Sequence, residues 1–370
     1  MYKKTRKIIS KYYRSVRLYW EDLVYYLKYF ILPEKIKHRE FVPVFVRKNK
    51  KELRLGVIYG HVNHEKYNLV NGLGLEFNII EFDYGHYPFD KVSTNNELKK
   101  QLNKEILEFV GISKLDVVFF YISGAHLYPE TLQIIQKKYK IMTINISMND
   151  RESFRNRLVD GYFLGVKDIC RYFDANWTTT SQSIYKYKVE GANVIFMPEG
   201  GNPQVHRRVR AECAYDVVFI GLNYGNRGEM LDYLSYNGVK LKVFGKDWYE
   251  GSEVRYEDMP KIYNQAKINL GFAGVMDYIG ATCLKGRDFE VMMSGGFYIT
   301  QYNKELASFF QEDQEIVFYR SKKDLLTKIN YYLLHDSERE RIRANGYKRA
   351  QEHTWANRLS KVIIFQGNER

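Results

Sequence analysis

The sequence has few cysteines and no long apolar run. Its three cysteines, Cys170, Cys213 and Cys283, are scattered and have neither CxxC nor Cys/His metal-ligand spacing. This pattern argues against a disulfide framework or a zinc site and is typical of a reducing compartment. No apolar stretch reaches the roughly 18 residues of a membrane-spanning helix. The N-terminus also lacks the continuous apolar core of a secretory signal. We therefore expect a cytoplasmic protein.

Positive charge is concentrated in the first part of the chain. Residues 1–50 contain 14 Lys and Arg but only four acidic residues, which accounts for +10 of the net charge of +13. Apolar side chains recur there at steps of three and four residues, which is typical of one face of a helix. These residues are Ile8, Ile9, Tyr12, Tyr13, Val16, Tyr19, Trp20, Leu23, Val24 and Leu27.

A basic helix rich in Tyr and Trp suits the headgroup region of an anionic membrane. We therefore expect residues 1–37 to bind the inner membrane face as a peripheral anchor. The alternative is that the same apolar face packs on its own domain or on a second subunit. A nucleic acid is not expected as a partner, because the basic strip comes without a recognisable nucleic-acid-binding module.

Short apolar strands alternate with helical segments over most of the remaining chain. One series of six strand-like segments runs from Leu53 to Pro198, and a second series of five begins at Asp216. This alternation predicts parallel βαβ units and hence an α/β protein. We expect two Rossmann-like, doubly wound domains that face a central cleft, with the helical extension in front of them.

The predicted boundaries follow from the same pattern. Residues 1–52 form the basic aromatic helical extension, and residues 53–204 form the first Rossmann-like domain. Residues 205–345 form the second, and residues 346–370 are predicted to be a C-terminal helix that packs across the hinge.

Several segments resemble one group of enzymes. Residues 285–310, "KGRDFEVMMSGGFYITQYNKELASFF", and the segment that begins "EIVFYRSKKDLLTKINYYLL" are similar to glycosyltransferases of the spore-maturation-protein CgeB type. The resemblance extends upstream through "DVVFIGLNYGNRGEMLDYL", "VFGKDW", "SMNDRESF" and "FMPEGGNPQVH". It covers roughly residues 115–355 and implies the GT-B fold of the wider glycogen-synthase-like group.

This resemblance implies a nucleotide-sugar site in the second domain, with a UDP-sugar as the first expectation. The diphosphate leaving group develops negative charge, so it needs backbone N–H groups and cations. The turn after "DVVFIG" offers Gly221, Asn226 and Arg227, and a helix predicted over residues 285–293 begins with Lys285 and Arg287. The alternatives are that Arg227 is a solvated helix start and that Arg287 only pairs with Glu290 on the surface.

Other residues of the implied donor site follow from the same resemblance. Glu290 matches the carboxylate that holds the ribose hydroxyls in the wider group, while Thr282 stands where that group usually has another glutamate. Lys246 and Trp248, after "LKVFG", are expected to line the base pocket, although a structural role for Trp248 is equally open.

The first domain is then expected to bind the acceptor. Polar residues follow its strands at the carboxyl ends, among them His61, His64 and Glu65 after the first strand. As the base that takes the acceptor proton we rank Asp150 first, because it matches an acidic pair of the family, and His126 second. A structural role for His126 is the alternative.

The sequence contains no DxD triplet of the kind that holds a divalent ion in the other main glycosyltransferase fold. We therefore expect no cofactor and a metal-independent transferase, with Lys and Arg neutralising the diphosphate. The expected acceptor is a glycan or a lipid-linked precursor in the synthesis of a surface polysaccharide or glycoconjugate. The alternative is a degenerate GT-B protein that binds nucleotides or glycans, or serves in assembly, without catalysis; Thr282 and Asn149 favour it.

Overall fold

The computed structural model describes residues 2–61, 65–248, 253–276 and 278–366. The chain divides into two compact units, and each is described by itself. The N-terminal unit comprises residues 18–198 and 355–370, and the C-terminal unit comprises residues 1–17 and 199–354. In the described part of the chain, no helix is both long and apolar enough to cross a membrane.

The N-terminal unit is built on a six-stranded parallel sheet, in the order β3-β2-β4-β5-β8-β9. The predicted run "LDVVFF" becomes β4, whose four residues are all buried, as expected for a central parallel strand covered on both faces. All six strands predicted in this part of the sequence are present. The strands of the unit up to residue 196 are β1 (Val44–Val46), β2 (Arg54–Tyr59), β3 (Asn78–Asp83), β4 (Val117–Phe120), β5 (Met142–Ser147), β6 (Leu158–Val159), β7 (Tyr162–Phe163), β8 (Ala175–Thr178) and β9 (Val194–Phe196).

Helices connect these strands. The longest connecting helix begins after Asn95, whose side-chain oxygen accepts hydrogen bonds from the amides of Glu97 and Leu98 and so caps the first turn. The helices up to residue 189 are α1 (Tyr2–Phe30), α2 (Glu34–Lys37), α3 (Asn71–Leu73), α4 (Phe89–Val92), α5 (Asn96–Ile112), α6 (Pro129–Ile134), α7 (Asp150–Ser153) and α8 (Ile184–Val189).

The C-terminal unit contains a five-stranded parallel sheet in the order β11-β10-β12-β13-β14. All five strands predicted there are present. They are β10 (Tyr215–Ile220), β11 (Leu241–Phe244), β12 (Ala266–Leu270), β13 (Tyr298–Gln301) and β14 (Val317–Tyr319). The helices are α9 (Arg227–Tyr236), α10 (Met259–Gln265), α11 (Arg287–Met293), α12 (Lys322–Leu334) and α13 (Asp336–Ala350). Between β13 and β14, residues 303–310 form only a 3₁₀ turn, Leu306–Ser308.

The basic aromatic segment forms α1, as predicted, but its apolar face is not the face that packs. Ser15, Leu18 and Tyr25 are buried. The opposite, apolar face is between 43% and 70% exposed at Ile9, Tyr12, Tyr13, Val16, Tyr19, Trp20, Leu23, Tyr26, Leu27 and Phe30. For the described residues, the alternative that this face packs on the chain's own domain is therefore wrong.

Polar contacts hold the second half of α1 on the N-terminal unit. The Tyr25 hydroxyl donates to Glu190 at 2.7 Å, and the fully buried Lys186 ammonium lies 2.8 Å from an Asp22 carboxylate oxygen. A buried lysine needs such a partner, because an unpaired charge in the interior is strongly unfavourable. Residues 1–52 are also not helical throughout, since β1 lies within them.

The prediction of a single helix over residues 346–370 is also wrong. Helix α13 ends at Ala350, and it is followed by α14 (Trp355–Leu359) and the strand β15 (Ile363–Phe365). Trp355 is fully buried and donates its indole N–H to Asn68 at 3.0 Å, and β15 pairs in parallel with β1. The alternating burial of Ile363, Ile364 and Phe365 suits a strand with one buried face, which explains why the helix does not continue.

Candidate functional site

A pair of glycines shapes the loops after β10 and β11. Gly221 and Gly245 both have positive φ, +154° and +125°. A Cβ on Gly245 would lie 2.4 Å from the Gly221 carbonyl oxygen, and a Cβ on Gly221 would lie 2.6 Å from the Arg287 guanidinium. Only glycine fits such close approaches. The turn predicted from "FIGLNYGNR" is thus drawn tightly against a cationic side chain.

Two arginines meet beside this turn. Arg227 is 3% exposed, and its guanidinium donates to the Leu222 carbonyl at 2.9 Å and to the Tyr224 hydroxyl at 2.6 Å. The Arg227 and Arg287 guanidinium carbons lie 5.3 and 5.2 Å from the centre of the same Phe219 ring. Burial lowers the pKa of Arg227 to about 10, and the Arg287 charge adds to the effect.

Among the described residues, these two arginines have no compensating salt bridge. Neither Arg227 nor Arg287 forms an ion pair with a described carboxylate, and the buried Nε of Arg227 has no hydrogen-bond partner. Lys285 adds a third cation on the same stretch of chain, and its ammonium donates to the Cys283 sulfur at 2.8 Å. The buried Asp288 carboxylate offsets part of this charge, because it interacts favourably with both Lys285 and Arg287. Three cations beside one carboxylate still leave an excess of positive charge, which an anion can neutralise. The cluster of Arg227, Lys285 and Arg287, called the cation cluster below, is therefore a candidate anion site.

The amide of Lys285 is already occupied. It donates to the Asp288 carboxylate at 2.8 Å, and Asp288 also accepts from the Tyr298 hydroxyl at 2.8 Å. Asp288 therefore holds the residue that precedes the helix, and the amides of Asp288, Phe289 and Glu290 donate to the backbone carbonyls of Lys285 and Gly286. The expectation that the amides at the start of α11 are free for the diphosphate does not hold for these residues. The side chains of Lys285 and Arg287 are the stronger candidates for charge neutralisation.

Glu290 lies in a buried hydrogen-bond network. Its carboxylate accepts from the Tyr256 hydroxyl at 2.7 Å, and the Tyr256 oxygen also lies 2.6 Å from His206 Nε2. A Cβ on Gly286 would lie 3.0 Å from Glu290 and 3.2 Å from Glu199, so two carboxylates approach the same backbone. The surface pair with Arg287, which was the alternative interpretation, is not among the described ion pairs; the described pair of Glu290 is with His206 at 3.6 Å. Sequence reasoning missed Tyr256, His206 and Glu199, which are brought to Glu290 by tertiary contacts alone.

Trp248 supports the glycine turn. Its indole N–H donates to the Gly221 carbonyl at 2.6 Å, and its ring packs edge-on against Phe219. These contacts give Trp248 the structural role that was the alternative to lining the base pocket. Lys246 is exposed, and its carbonyl accepts weakly from the Asn223 amide.

Asn226 and Thr282 line a second feature of the C-terminal unit. Asn226 precedes the first turn of α9, and Thr282 pairs with Gly274 across a short antiparallel hairpin. Both residues line a cavity of about 400 Å³. The structure thus brings these two predicted residues together, while Lys246 does not line this cavity.

A separate cavity lies in the N-terminal unit, at the carboxyl ends of its strands. Its volume is about 350 Å³, and its lining includes Gly60 after β2, Ser123 after β4 and Asn149 after β5. Aromatic rings supply much of the wall, at Tyr84, Tyr87, Phe89 and Tyr121. This is the position in which parallel sheets bind ligands.

His126 lines this cavity with one nitrogen unused. It is 6% exposed, and its Nε2 lies 3.3 Å from the Tyr87 carbonyl. Because a carbonyl can only accept, Nε2 carries the proton, and the buried Nδ1 is left as an acceptor without a partner. Burial lowers the pKa of His126 to about 4, so the ring is neutral at physiological pH.

Asp150 occupies a different environment. It is 1% exposed, its carboxylate accepts from the Tyr187 hydroxyl at 2.8 Å, and it does not line the cavity, although Asn149 does. Burial raises the pKa of Asp150 to about 6, against the effect of its hydrogen bonds. Glu65 lines the cavity, and His61 Nδ1 lies 3.9 Å from it. His64 lies outside the described residues.

Comparisons with known proteins agree with this architecture. Residues 227–363 match a family described as "Glycosyl transferase-like", a segment of less than half of the chain. A comparison with curated proteins finds no significant match. Sucrose-phosphate synthase from Thermosynechococcus elongatus is 9% identical with a TM-score of 0.58, over 84% of this chain and 98% of that one.

Two further solved structures are similar. A glycosyltransferase from Rickettsia africae is 11% identical with a TM-score of 0.56, over 84% of this chain and 96% of that one. An alpha-glucosyltransferase in complex with UDP and a DNA 13-mer is 11% identical with a TM-score of 0.55, over 84% and 97%. Identities this low show the fold alone. The chain therefore has the GT-B fold with two Rossmann-like domains, and the match of residues 227–363 supports a glycosyltransferase.

Proposed function

We propose that this protein transfers a sugar from a nucleotide-diphosphate sugar, with a UDP-sugar as the first candidate, to an acceptor hydroxyl. The observation that carries the proposal is the cation cluster, in which Arg227, Lys285 and Arg287 gather beside a glycine turn with only the Asp288 carboxylate among the described residues to offset them. A nucleoside diphosphate neutralises the remaining positive charge. The family match over residues 227–363 and the fold support the same activity.

The chemistry follows from where charge develops. As the bond between the sugar carbon and the diphosphate oxygen breaks, the electron pair stays on the diphosphate, and the cation cluster stabilises the growing negative charge. Arginine suits this role because its planar fork binds two phosphate oxygens at once. We propose that these side chains act without a divalent ion, so that transfer persists in the presence of a chelator.

The acceptor half of the reaction is assigned to the cavity of the N-terminal unit. His126 lines this aromatic-walled cavity, and its Nδ1 is an unprotonated acceptor, so we assign to it the proton that the acceptor hydroxyl loses. This proposal reverses the order expected from the sequence, because Asp150 is buried against Tyr187 and does not line the cavity. The aromatic walls suit a sugar ring, whose apolar faces pack against such rings.

The test is a ligand titration that follows thermal unfolding. UDP, GDP, dTDP and CMP are compared, since a ligand present at 100 times its Kd stabilises the native state by about 2.7 kcal/mol. We expect one nucleoside diphosphate to raise the unfolding temperature of the wild type and to fail with Arg287→Ala. The matched control is Arg341→Ala, which removes an exposed arginine of α13. Equal responses of both variants would contradict the site.

The degenerate binding protein remains the second candidate, because Thr282 stands at a position where the related group has an acid. Measuring the release of UDP from a UDP-sugar distinguishes this binding protein from a transferase. A transferase releases UDP slowly from a UDP-sugar in water, whereas a binding protein takes up the nucleotide and leaves the sugar bond intact. We expect the wild type to release UDP from the UDP-sugar. When an acceptor is supplied, we expect His126→Gln to lose the release of UDP that accompanies transfer.

The exposed face of α1 supports a place for this reaction at a membrane. Ten apolar or aromatic side chains point away from the residues that pack, and Arg17 and Lys28 are exposed along one edge of that face. Tyr and Trp with nearby cations are typical of a helix that lies in a headgroup region. We propose that the chain is cytoplasmic and peripheral at the inner membrane face. Its acceptor is then a lipid-linked glycan or a surface-polysaccharide precursor, as the CgeB-like resemblance suggests.

Vesicle sedimentation tests this anchor. We expect binding to vesicles that contain anionic lipid, weakening with salt because charge is screened over about 8 Å at physiological ionic strength. Trp20→Ser combined with Leu23→Ser should weaken binding about tenfold or more through lost apolar burial. Tyr236→Ser, at a 91% exposed tyrosine away from α1, is the control. Wild-type protein that stays in the supernatant at low salt would refute the anchor.

A further inference from the structure

The first half of α1 forms part of a cavity in the C-terminal unit. This cavity, about 400 Å³, is lined by the turn Gly225–Asn226, by the hairpin loop that ends at Thr282, by Gln301 at the end of β13 and by Lys11 of α1. A segment expected to be a separable membrane anchor thus reaches a cavity beside the candidate donor site. The volume lies within the range of small-molecule pockets.

Ser15 fixes α1 against the hairpin loop. It is 5% exposed, its hydroxyl donates to the Lys11 carbonyl at 2.8 Å, and the same oxygen accepts from the Ile279 amide at 2.9 Å. Lys11 stands one turn before Ser15, so this contact also sets the position of Lys11 on the cavity wall. The helix and the loop therefore form one built surface.

The loop itself is held in a defined shape. The Val275 amide donates to the Ala281 carbonyl, and the Cys283 amide donates to the Ala273 carbonyl, each at 3.0 Å. Gly225 has φ +64°, and a Cβ there would lie 3.0 Å from the Met276 carbonyl oxygen. The glycine lets the loop approach the turn that leads into α9, and the cavity forms between them.

Two residues that line the cavity are close in sequence to residues of the cation cluster. Asn226 directly precedes Arg227, and Thr282 stands three residues before Lys285. The polar residues of its described lining are Lys11, Asn226, Tyr278, Thr282 and Gln301, beside the apolar Met276, Ile279 and Ala281. Hydroxyl-rich ligands need such a mixture of donors and acceptors around an apolar floor.

We propose that this cavity holds the transferred sugar of the donor and that Lys11 of α1 is a specificity-determining residue that donates to it. The proposal rests on the proposed function, because it places the sugar next to a diphosphate bound by the cation cluster. It also changes the expected effect of removing the extension. Deleting α1 alters the handling of the sugar, and not membrane binding alone.

The experiment uses the full chain without membranes and measures two affinities separately. UDP alone and a panel of UDP-glucose, UDP-galactose, UDP-N-acetylglucosamine and UDP-glucuronate are titrated by calorimetry. The variants are Lys11→Met and, as a matched control, Arg14→Met, which removes an exposed cation of the same helix that does not line the cavity. Ser15→Ala is the second variant, because it releases Lys11 and the loop together.

We expect Lys11→Met to weaken the preferred UDP-sugar at least tenfold while UDP binding stays within twofold, and Ser15→Ala to act in the same direction. Arg14→Met should change neither. If Lys11→Met leaves the preference among the UDP-sugars and their affinities unchanged, the sugar-site inference is refuted while the proposed function stands. If the wild type binds no UDP and no UDP-sugar, both are refuted.

Discussion

Removing the Arg227 charge should weaken nucleotide binding and leave the stability of the unliganded protein nearly unchanged. The substitution is Arg227→Met, which keeps an unbranched apolar stem and removes the guanidinium with its charge. At neutral pH a cation whose pKa falls from 12.5 to about 10 is disfavoured in the folded state by about 3 kcal/mol, since each tenfold change is about 1.4 kcal/mol. Because the folded pKa is the lower one, this penalty is complete below pH 10 and disappears as the pH rises towards 12.5.

The favourable contacts of Arg227 offset this penalty. They are the hydrogen bonds to the Leu222 carbonyl and the Tyr224 hydroxyl, each worth about 1 kcal/mol, and a guanidinium that lies 3.7 Å from the centre of the Tyr224 ring, worth about 1–2 kcal/mol. The two sides nearly cancel. The unfolding temperature of Arg227→Met without ligand should therefore stay close to that of the wild type.

Nucleotide affinity should respond very differently. A hydrogen-bonded charge on the diphosphate is worth about 1.5–3 kcal/mol, so UDP binding should weaken roughly 10- to 150-fold. The matched control is Arg339→Met. Arg339 is also a buried arginine of the C-terminal unit, but it lies 2.7 Å from the Asp336 carboxylate and 2.6 Å from the Tyr332 carbonyl.

The control should show the reverse pattern. Arg339→Met should lower the unfolding temperature by roughly 5 °C or more and leave UDP binding unchanged, because its partners are structural. Differential scanning fluorimetry with and without UDP gives both quantities in one experiment. An Arg227→Met protein that is destabilised as strongly as Arg339→Met and still binds UDP normally would refute the anion-site reasoning.

Three further predictions concern single residues. His126→Gln should lower the transfer rate roughly 100-fold or more and leave the donor affinity unchanged. It should also reduce the loss of stability between pH 6.5 and 4, because a histidine with a depressed pKa stabilises the fold above pH 6.5 and loses that contribution as the pH falls through 4. Unfolding curves of wild type and variant that change in parallel with pH would contradict this prediction. Gly245→Ala should weaken UDP binding and lower the unfolding temperature, since its Cβ would meet the Gly221 carbonyl at 2.4 Å; a variant with wild-type values in both assays would show that the turn is not held as described. Tyr256→Phe removes the 2.7 Å bond to Glu290. If Glu290 holds the ribose, this change should alter the affinity for UDP more than the affinity for inorganic pyrophosphate, which lacks the ribose, as calorimetry would measure; equal effects on both would remove Glu290 from the site.

The sequence by itself determined the two sheets and the elements of the donor turn. Central parallel strands are buried on both faces, so they appear as short apolar runs whatever surrounds them, and β4 and β10 are examples. Gly221 and Arg227 could be singled out because a strand, a glycine turn and a cation before a helix form a local pattern. What such a pattern cannot supply is the partner of each side chain.

The tertiary structure alone decided which candidates are available. Asp150 and His126 both follow strands of one sheet, but only His126 lines the cavity, while Asp150 accepts a hydrogen bond from the distant Tyr187. The periodicity of α1 located an apolar face correctly, and only the contacts of Ser15 and Tyr25 show that the opposite face packs. The physical reason is that amphipathicity gives the direction of a face, whereas the polar groups on other elements decide which face is buried.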